Sequence, residues 1–276
     1  MKAEIVYTGG LGRRGKLMLD GMQTSAKKQG IQAIPTESYR GGTPWLVIWG
    51  AGGPEQRDII KAHVAGGGRA ICFDMGYFYR QHHGLENSHC RLSIDGLHCP
   101  QLIYKVKRDS LRWSQFGIQL RADCNPKGHI VIAGTGAKSR DAYGLDGTEW
   151  EQRALHEIRK RYKKERVYYR PKPKTDDALP GASTWAGDGI EAVLSGAKFV
   201  VTRHSNVAVD CVVAGVPCYC EDGAGAAIWP SSLDVPPSVP ANDDRRRFLR
   251  QVAWFDWSPT EAERGEVWRW VKELLA

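Results

Sequence analysis

The sequence predicts an α/β protein built from two Rossmann-like halves. Three observations predict it. Short, continuously apolar runs recur along the chain, helical stretches separate them, and the alternation stops once and then restarts. A run such as Trp45–Trp49 (WLVIW) is apolar at every position, which suits a strand of a parallel sheet covered on both faces.

The first strand is expected at residues 3–8 (AEIVYT), followed by the turn Gly9-Gly10-Leu11-Gly12 and a helix to about Gln29, closed by Gly30. Strands follow at 31–35 and Trp45–Trp49, then a helix at 54–64 that opens on Pro54 and stops at Gly66-Gly67-Gly68. A fourth strand is expected at 69–74 (RAICFD). The stretch 77–124 reads as irregular, rich in His, Gly and Arg, with β-like pieces such as 101–106. Alternation restarts with a strand at 128–133 (GHIVIA), a long charged helix at 148–164 and a strand at 166–170. A short helix at Ile190–Leu194, a strand at 199–202, a helix after Ser205 and a strand at 217–220 complete the second run. Residues 230–240 carry four prolines and read as a linker; 243–255 and 259–275 read as two closing helices. The domains expected are 1–124, 125–240 and a closing segment 241–276.

Length and charge bound the function. The 276 residues leave room for two domains. Thirty-nine Lys and Arg against 31 Asp and Glu give +8, a balance suited to a nucleic acid, a nucleotide or a phospholipid surface. Ten tryptophans supply core area and flat stacking faces. Of seven cysteines, Cys72, Cys211, Cys218 and Cys220 sit in apolar surroundings and read as small buried hydrophobes. Cys90 and Cys99 lie near His82, His83, His89 and His98, but the spacings match no standard ligand pattern, so no metal is expected. With no leader pattern and no run of about 18 apolar residues, a soluble cytoplasmic protein is expected.

Residues 8–17, TGGLGRRGKL, fit two phosphate-binding patterns. Gly10-x-Gly12-x-x-Gly15 after a strand matches the dinucleotide fingerprint, with Glu37 where a ribose-binding acid would stand. Gly10-x4-Gly15-Lys16 matches most of a Walker A loop, with Asp74 as the second acid. Position 17 is Leu, however, where a magnesium-binding hydroxyl is required, and that reading fails. The glycine turn remains open between three readings: a dinucleotide site, a helix start that approaches an anion with Arg13, Arg14 and Lys16, and a tight turn with solvated cations. A similar choice attends TRHSNVAVDC at 202–211, where a strand runs into His204-Ser205-Asn206. Ser and Asn there either cap the next helix or share its N–H groups with a phosphate.

In an open α/β sheet, ligands sit beyond the carboxyl ends of the strands. Arg170 and Lys172 in RPKP, His204 and Ser205 in the corner, and Glu221 and Asp222 after the last strand would all lie there. The order strand-RPKP, short helix, FVVTRHSNVAVDCVVAGVPCYC and closing helices resembles the GT-B glycosyltransferases. The resemblance covers most of 125–276 and the amino half only loosely, and the same frame occurs in nucleotide-sugar epimerases of that fold. It implies two Rossmann-like domains facing across a cleft, with 241–276 crossing back to the first. It also implies a nucleoside-diphosphate sugar as co-substrate, UDP being the expected carrier, and no required cofactor. The donor diphosphate would rest on the helix that begins at Ser205 and Asn206, beside His204, with Arg170 and Lys172 near it. Asp210 would reach the ribose, although many members carry the longer glutamate there. Gly10 and Arg13 of the first turn, with Glu221 and Asp222, complete the expected donor contacts.

Glycosyl transfer needs a stabilised departing diphosphate, which helix N–H groups and fixed cations supply, and a base for the incoming hydroxyl. Asp74, ending RAICFD, is the expected base; the phage DNA β-glucosyltransferase similarly ends an amino-domain strand with its base aspartate. The alternative role of Asp74 is a cap for Met75-Gly76, and His82, His83, His89 and His98 are rival bases. Net charge, the basic turn and the tail RRRFLRQVAWFDW at 245–257 favour a nucleic-acid acceptor. The tail is also similar in character to the endings of phage-encoded glycosyltransferase-like proteins. A hydroxymethylated pyrimidine in double-stranded phage DNA is therefore the expected acceptor, with Arg14, Lys16, His82 and His83 as its contacts. The tail reads equally as an amphipathic helix with Phe248, Val252 and Phe255 inward. A nucleotide-sugar epimerase, a transferase acting on surface polysaccharide and a non-enzymatic nucleic-acid-binding protein are the alternatives. The sequence leaves the oligomeric state open.

Overall fold

A computed structural model describes residues 1–80, 84–172, 178–187 and 189–276. His82 and His83, expected to contact the acceptor, lie outside the described residues. From the amino end run β1 (Lys2–Val6), α1 (Arg13–Ala26), β2 (Gln32–Thr36), β3 (Trp45–Trp49), α2 (Pro54–Ala65), β4 (Arg69–Met75) and β5 (Cys90–Ile94). Next come α3 (Pro100–Ile103), α4 (Leu111–Ser114), β6 (His129–Ala133), α5 (Ala137–Tyr143), α6 (Glu149–Arg161), β7 (Val167–Arg170) and β8 (Ser183–Thr184). Then follow α7 (Ile190–Leu194), β9 (Ala197–Thr202), α8 (Val207–Ala214), β10 (Cys218–Cys220) and α9 (Asn242–Ala253). The chain ends with β11 (Asp256–Trp257), α10 (Pro259–Glu263) and α11 (Glu266–Leu275).

The chain divides into two compact units. The first comprises Met1–Cys99, Val106–Arg108 and Val252–Ala276; the second comprises Pro100–Lys105 and Asp109–Gln251. Residues 109–124, expected with the first domain, thus group with the second unit. The expected closing segment is shared, and only its part from Val252 onward returns to the first.

The first unit holds a six-stranded sheet in the order β11-β5-β4-β3-β1-β2. β1 to β4 are parallel, β5 runs antiparallel to β4, and β11 pairs antiparallel with β5. Leu46, Val47 and Ile48 of β3 are fully buried, as an apolar run between two covered faces requires. Behind the sheet α1 meets α10 so closely that a Cβ on Gly21 would stand 2.9 Å from the Pro259 carbonyl oxygen. The buried Trp268 of α11 donates its indole N–H to the Met22 carbonyl at 2.8 Å. Three expectations are corrected here. The irregular stretch contains β5; residues 101–106 begin as the short helix α3 rather than a β-like piece; and the helix expected over 259–275 breaks at Gly265 (φ +83°). Ser258 and Glu261 form a reciprocal capping box at the start of α10.

The second unit holds five parallel strands in the order β10-β9-β6-β7-β8. Trp150, Leu155 and Ile158 of α6 pack on one face against Ile130, Ile132, Tyr169, Phe199 and Tyr219. α6 carries Glu149 and Glu151 in its first turn and Arg159, Lys160 and Arg161 in its last, matching the helix dipole at both ends. α7 and α8 pack along β9. Arg245 of α9 is buried and closes the end of α8, donating to the carbonyls of Val212 (2.7 Å), Val213 (3.0 Å) and Arg121 (2.8 Å). Among the described residues no helix is long and apolar enough to cross a membrane.

Candidate functional site

Within the second unit, four parallel strands end side by side and each hands on a loop. β6 leads into Gly134-Thr135-Gly136, β7 into Pro171-Lys172, β9 into Arg203-His204-Ser205-Asn206, and β10 into Glu221-Asp222-Gly223. The register fixes their order, because Ala133 pairs with Arg170 on one side and Thr202 on the other. The expected cations and the corner are thereby brought together. Lys172 Nζ donates to Ser205 Oγ at 3.1 Å, and the same Oγ accepts the Val207 N–H at 3.3 Å. Ser205, not Asn206, supplies this side-chain contact to the first turn of α8. Arg170 ends β7 half-buried, and its carbonyl accepts the Gly134 N–H at 3.0 Å. Asp210 lies half-buried one turn into α8.

His204 faces α5. Its Nε2 lies 2.9 Å from Ser139 Oγ, and its ring is tilted over Tyr143 at 5.1 Å. Tyr143 in turn donates to Asp222 Oδ2 and carries the Arg203 guanidinium 4.2 Å above its ring. Glu221 accepts from Trp150 Nε1 at 2.7 Å and pairs with Arg203. Asp222 Oδ1 accepts the Gly223 N–H at 2.6 Å. Glu221 and Asp222, two of the three carboxylates expected to contact a donor, thus hold partners around the strand ends.

Sequence reasoning missed the loop after β6. Gly134 has no room for a side chain, since a Cβ would stand 2.8 Å from the Tyr169 ring. The fully buried Glu151 accepts both the Thr135 N–H (2.7 Å) and the Thr135 hydroxyl (2.6 Å) through Oε1, with Arg140 at 3.9 Å. The signal was present: a Gly-Thr-Gly directly after an apolar strand marks a close approach of backbone to something.

The first unit presents its own set of strand ends. Asp74 sits near the end of β4 with about a third of its side chain exposed. Oδ2 pairs with Arg91 at 3.2 Å and Oδ1 accepts the Met75 N–H at 2.7 Å, so the turn-capping contact is present. Arg91 lies opposite on β5, with NH1 3.3 Å from His98 Nδ1. Gly10 adopts the left-handed conformation (φ +72°), and Gly12 precedes α1 with no side-chain cap. Arg14 reaches Met75 Sδ at 2.6 Å, while Arg13 stands exposed, 4.0 Å from Glu86. A groove of about 1220 Å³ runs beside β1 and β2, lined by Thr8, Lys16, Asp20, Gln23, Glu37 and Arg40 among others. Burial and Asp20 push the Tyr7 hydroxyl far above its usual range; it contacts Asp20 and Gln23, each at 2.9 Å. Among the described residues no group of three or more His, Cys, Asp or Glu side chains gathers as metal ligands.

No family model and no curated protein matches the chain. Solved structures do. The beta Kdo 2,7 transferase of Thermosulfurimonas dismutans KpsC aligns over 99% of this chain and 99% of its own at 12% identity, with a TM-score of 0.56. The fold is of the GT-B type. The beta Kdo 2,4 transferase of the same KpsC aligns over 99% and 98% at 10% identity, with a TM-score of 0.50. A UDP-GlcNAc 2-epimerase from Methanocaldococcus jannaschii aligns over 99% and 100% at 11% identity, but its TM-score of 0.34 is too low to carry an argument.

Proposed function

We propose that this chain is a glycosyltransferase that moves a sugar from a nucleoside-diphosphate sugar to an acceptor hydroxyl. The donor phosphates would lie beyond β6, β7 and β9, and Asp74 would serve as the base. One observation carries the reading: Lys172 reaches Ser205 at the start of α8, so a cation and a helix N-terminus converge on one point. Such a pair stabilises a departing diphosphate without proton transfer. On the acceptor side, each oxygen of Asp74 already has one partner and keeps a further lone pair for a hydroxyl.

The acceptor we favour is a saccharide hydroxyl, supported by the names of the two Kdo transferases that share the fold. The tail gives a DNA acceptor less support than its composition suggested. Arg245 closes α8, Arg246 and Arg247 pair with Asp243 (3.2 Å) and Asp244 (2.7 Å), and Phe248, Val252 and Phe255 are buried. A hydroxymethylated pyrimidine keeps the support of the +8 charge, Arg14 and Lys16.

A second reading, a dinucleotide bound in the first unit, is favoured by Glu37, which lines the same groove as Gly9 and Lys16. Gly15 also stands where a Cβ would strike the Trp49 ring of β3 at 2.8 Å, as close helix–strand packing demands. Thermal melting against UDP, GDP, CMP and NAD separates the two. At a hundredfold excess over Kd a ligand stabilises by about 2.7 kcal/mol. A rise with UDP or GDP that shrinks in Lys172→Ala is expected, and a rise with CMP alone overturns the diphosphate donor. A rise with NAD alone selects the dinucleotide, and no rise with any of them refutes both.

A further inference from the structure

The second unit carries a groove of about 630 Å³ toward the amino ends of β6 and β7, away from the strand ends described above. Its wall is aromatic. Trp185 stacks on His129 at 5.7 Å and 22°, and Tyr168 meets both edge-on, at 5.0 and 5.2 Å. His129 is anchored by its Nε2, 2.9 Å from the Val193 carbonyl, and Arg166 donates to the Tyr168 hydroxyl at 3.3 Å. These rings are half-exposed, whereas the neighbouring Tyr169 alternates to the other face and is buried in the core under α6. The rim is basic. Lys127, Lys164 and Arg166 are exposed and form no ion pair among the described residues. Glu165, the acid between two of them, is occupied by Lys198 at 3.1 Å, whose hydrogen bond holds its carboxyl below the usual range.

Half-exposed aromatic rings beside uncompensated cations mark a binding surface rather than a core. We propose that this groove binds an acidic saccharide, with the apolar face of a sugar ring against Trp185 and its carboxylate on Lys127, Lys164 and Arg166. A guanidinium and two ammonium groups suit that anion, and the volume is that of a small-ligand site. Single-stranded nucleic acid is held by successive stacking platforms along a tracked backbone. Here His129 stacks on Trp185 and Tyr168 abuts its edge, so the groove offers one indole, enough for one sugar, rather than a series of platforms. The inference goes beyond the transfer reaction and does not depend on it.

The test is isothermal titration of the full chain with trigalacturonate, neutral maltotriose and octathymidylate. Trigalacturonate is expected to bind saturably, and maltotriose at least about tenfold more weakly. Trp185→Ala should lose about tenfold in affinity, as should the double variant Lys164→Glu/Arg166→Glu, whose exposed positions leave the fold intact. Nucleotide-induced melting shifts should be the same in these variants as in the parent, so failure here is distinct from failure of the donor assignment. Absence of saturable trigalacturonate binding, equal affinity in the double variant, or tighter binding of octathymidylate overturns the proposal.

Discussion

Replacing Glu151 tests whether the loop after β6 is held from below. The carboxylate is fully buried, and one oxygen accepts two hydrogen bonds from Thr135, at 2.7 and 2.6 Å, while Arg140 lies 3.9 Å away. Glu151→Ala leaves the Thr135 N–H and O–H facing a cavity and removes the negative charge beside a largely buried guanidinium. Hydrogen bonds to a charged group are worth about 1.5–3 kcal/mol each, and breaking a buried pair from one side costs about 3–5 kcal/mol. The expected loss is therefore about 3–5 kcal/mol. Glu151→Gln keeps an acceptor for Thr135 but not the charge, and should lose about 1–3 kcal/mol. Urea unfolding measures both, and a cycle with Thr135→Val isolates the shared part, expected at about 1–2 kcal/mol. Gly136 lies beside the Lys172 side chain, about 3.5 Å from Cγ were it to carry a Cβ, so a slack loop should also weaken nucleotide binding in Glu151→Gln. An alanine variant within about 1 kcal/mol of the parent would refute the clamp.

The remaining expectations concern the donor, the base and pH. Lys172→Ala should weaken the stabilising nucleotide by about tenfold or more, the worth of one charge-assisted contact, and equal affinity by titration would remove Lys172 from the site. Asp74→Asn should abolish sugar transfer while leaving the nucleotide melting shift intact; full turnover would show that another group takes the proton. Burial pushes His63 below its usual range, and its Nε2 lies against Gly68, where a Cβ would stand 2.3 Å away. With the folded pKa below the unfolded value near 6.5, the unfolded chain takes the proton first. Stability is then full above about pH 6.5 and falls as the pH drops below it. His63→Gln should flatten the decline in melting temperature between about pH 7 and 5, and an unchanged slope counts against His63.

The parts of the fold legible in the sequence are those whose signal is local. Trp45–Trp49 sits where expected because it is apolar throughout and bounded by Pro44 and Gly50, and Ile190–Leu194 because Gly189 and Ser195 bound it. β5 was missed because CRLSI contains an arginine and a serine yet is buried at all five positions. Arg91 is tolerated there because antiparallel pairing sets it opposite Asp74, 17 residues away, with His98 also beside it. The break at Gly265 was missed for the opposite reason. Apolar periodicity runs through it, and only the left-handed backbone at that glycine ends α10. Ser139, Tyr143 and Glu151 lie outside the motifs, and no short-range pattern assigns a partner to a side chain whose contact is made across loops.

The corner at 202–211 shows how a local and a distant signal combine. Ser205 accepting the Val207 N–H is a capping contact, which a serine at a helix start supplies for itself. That contact explains the serine but not the lysine. The start of α8 is the positive end of its dipole, and Lys172 sets a second positive charge beside it. It is carried there by Arg170-Pro171-Lys172, which leaves β7 beside β6 while β9 leaves on the other side. A chain selected for stability alone would place an acid at that point. On the donor reading proposed above, a phosphate is the negative group that this cation and this helix N-terminus would share.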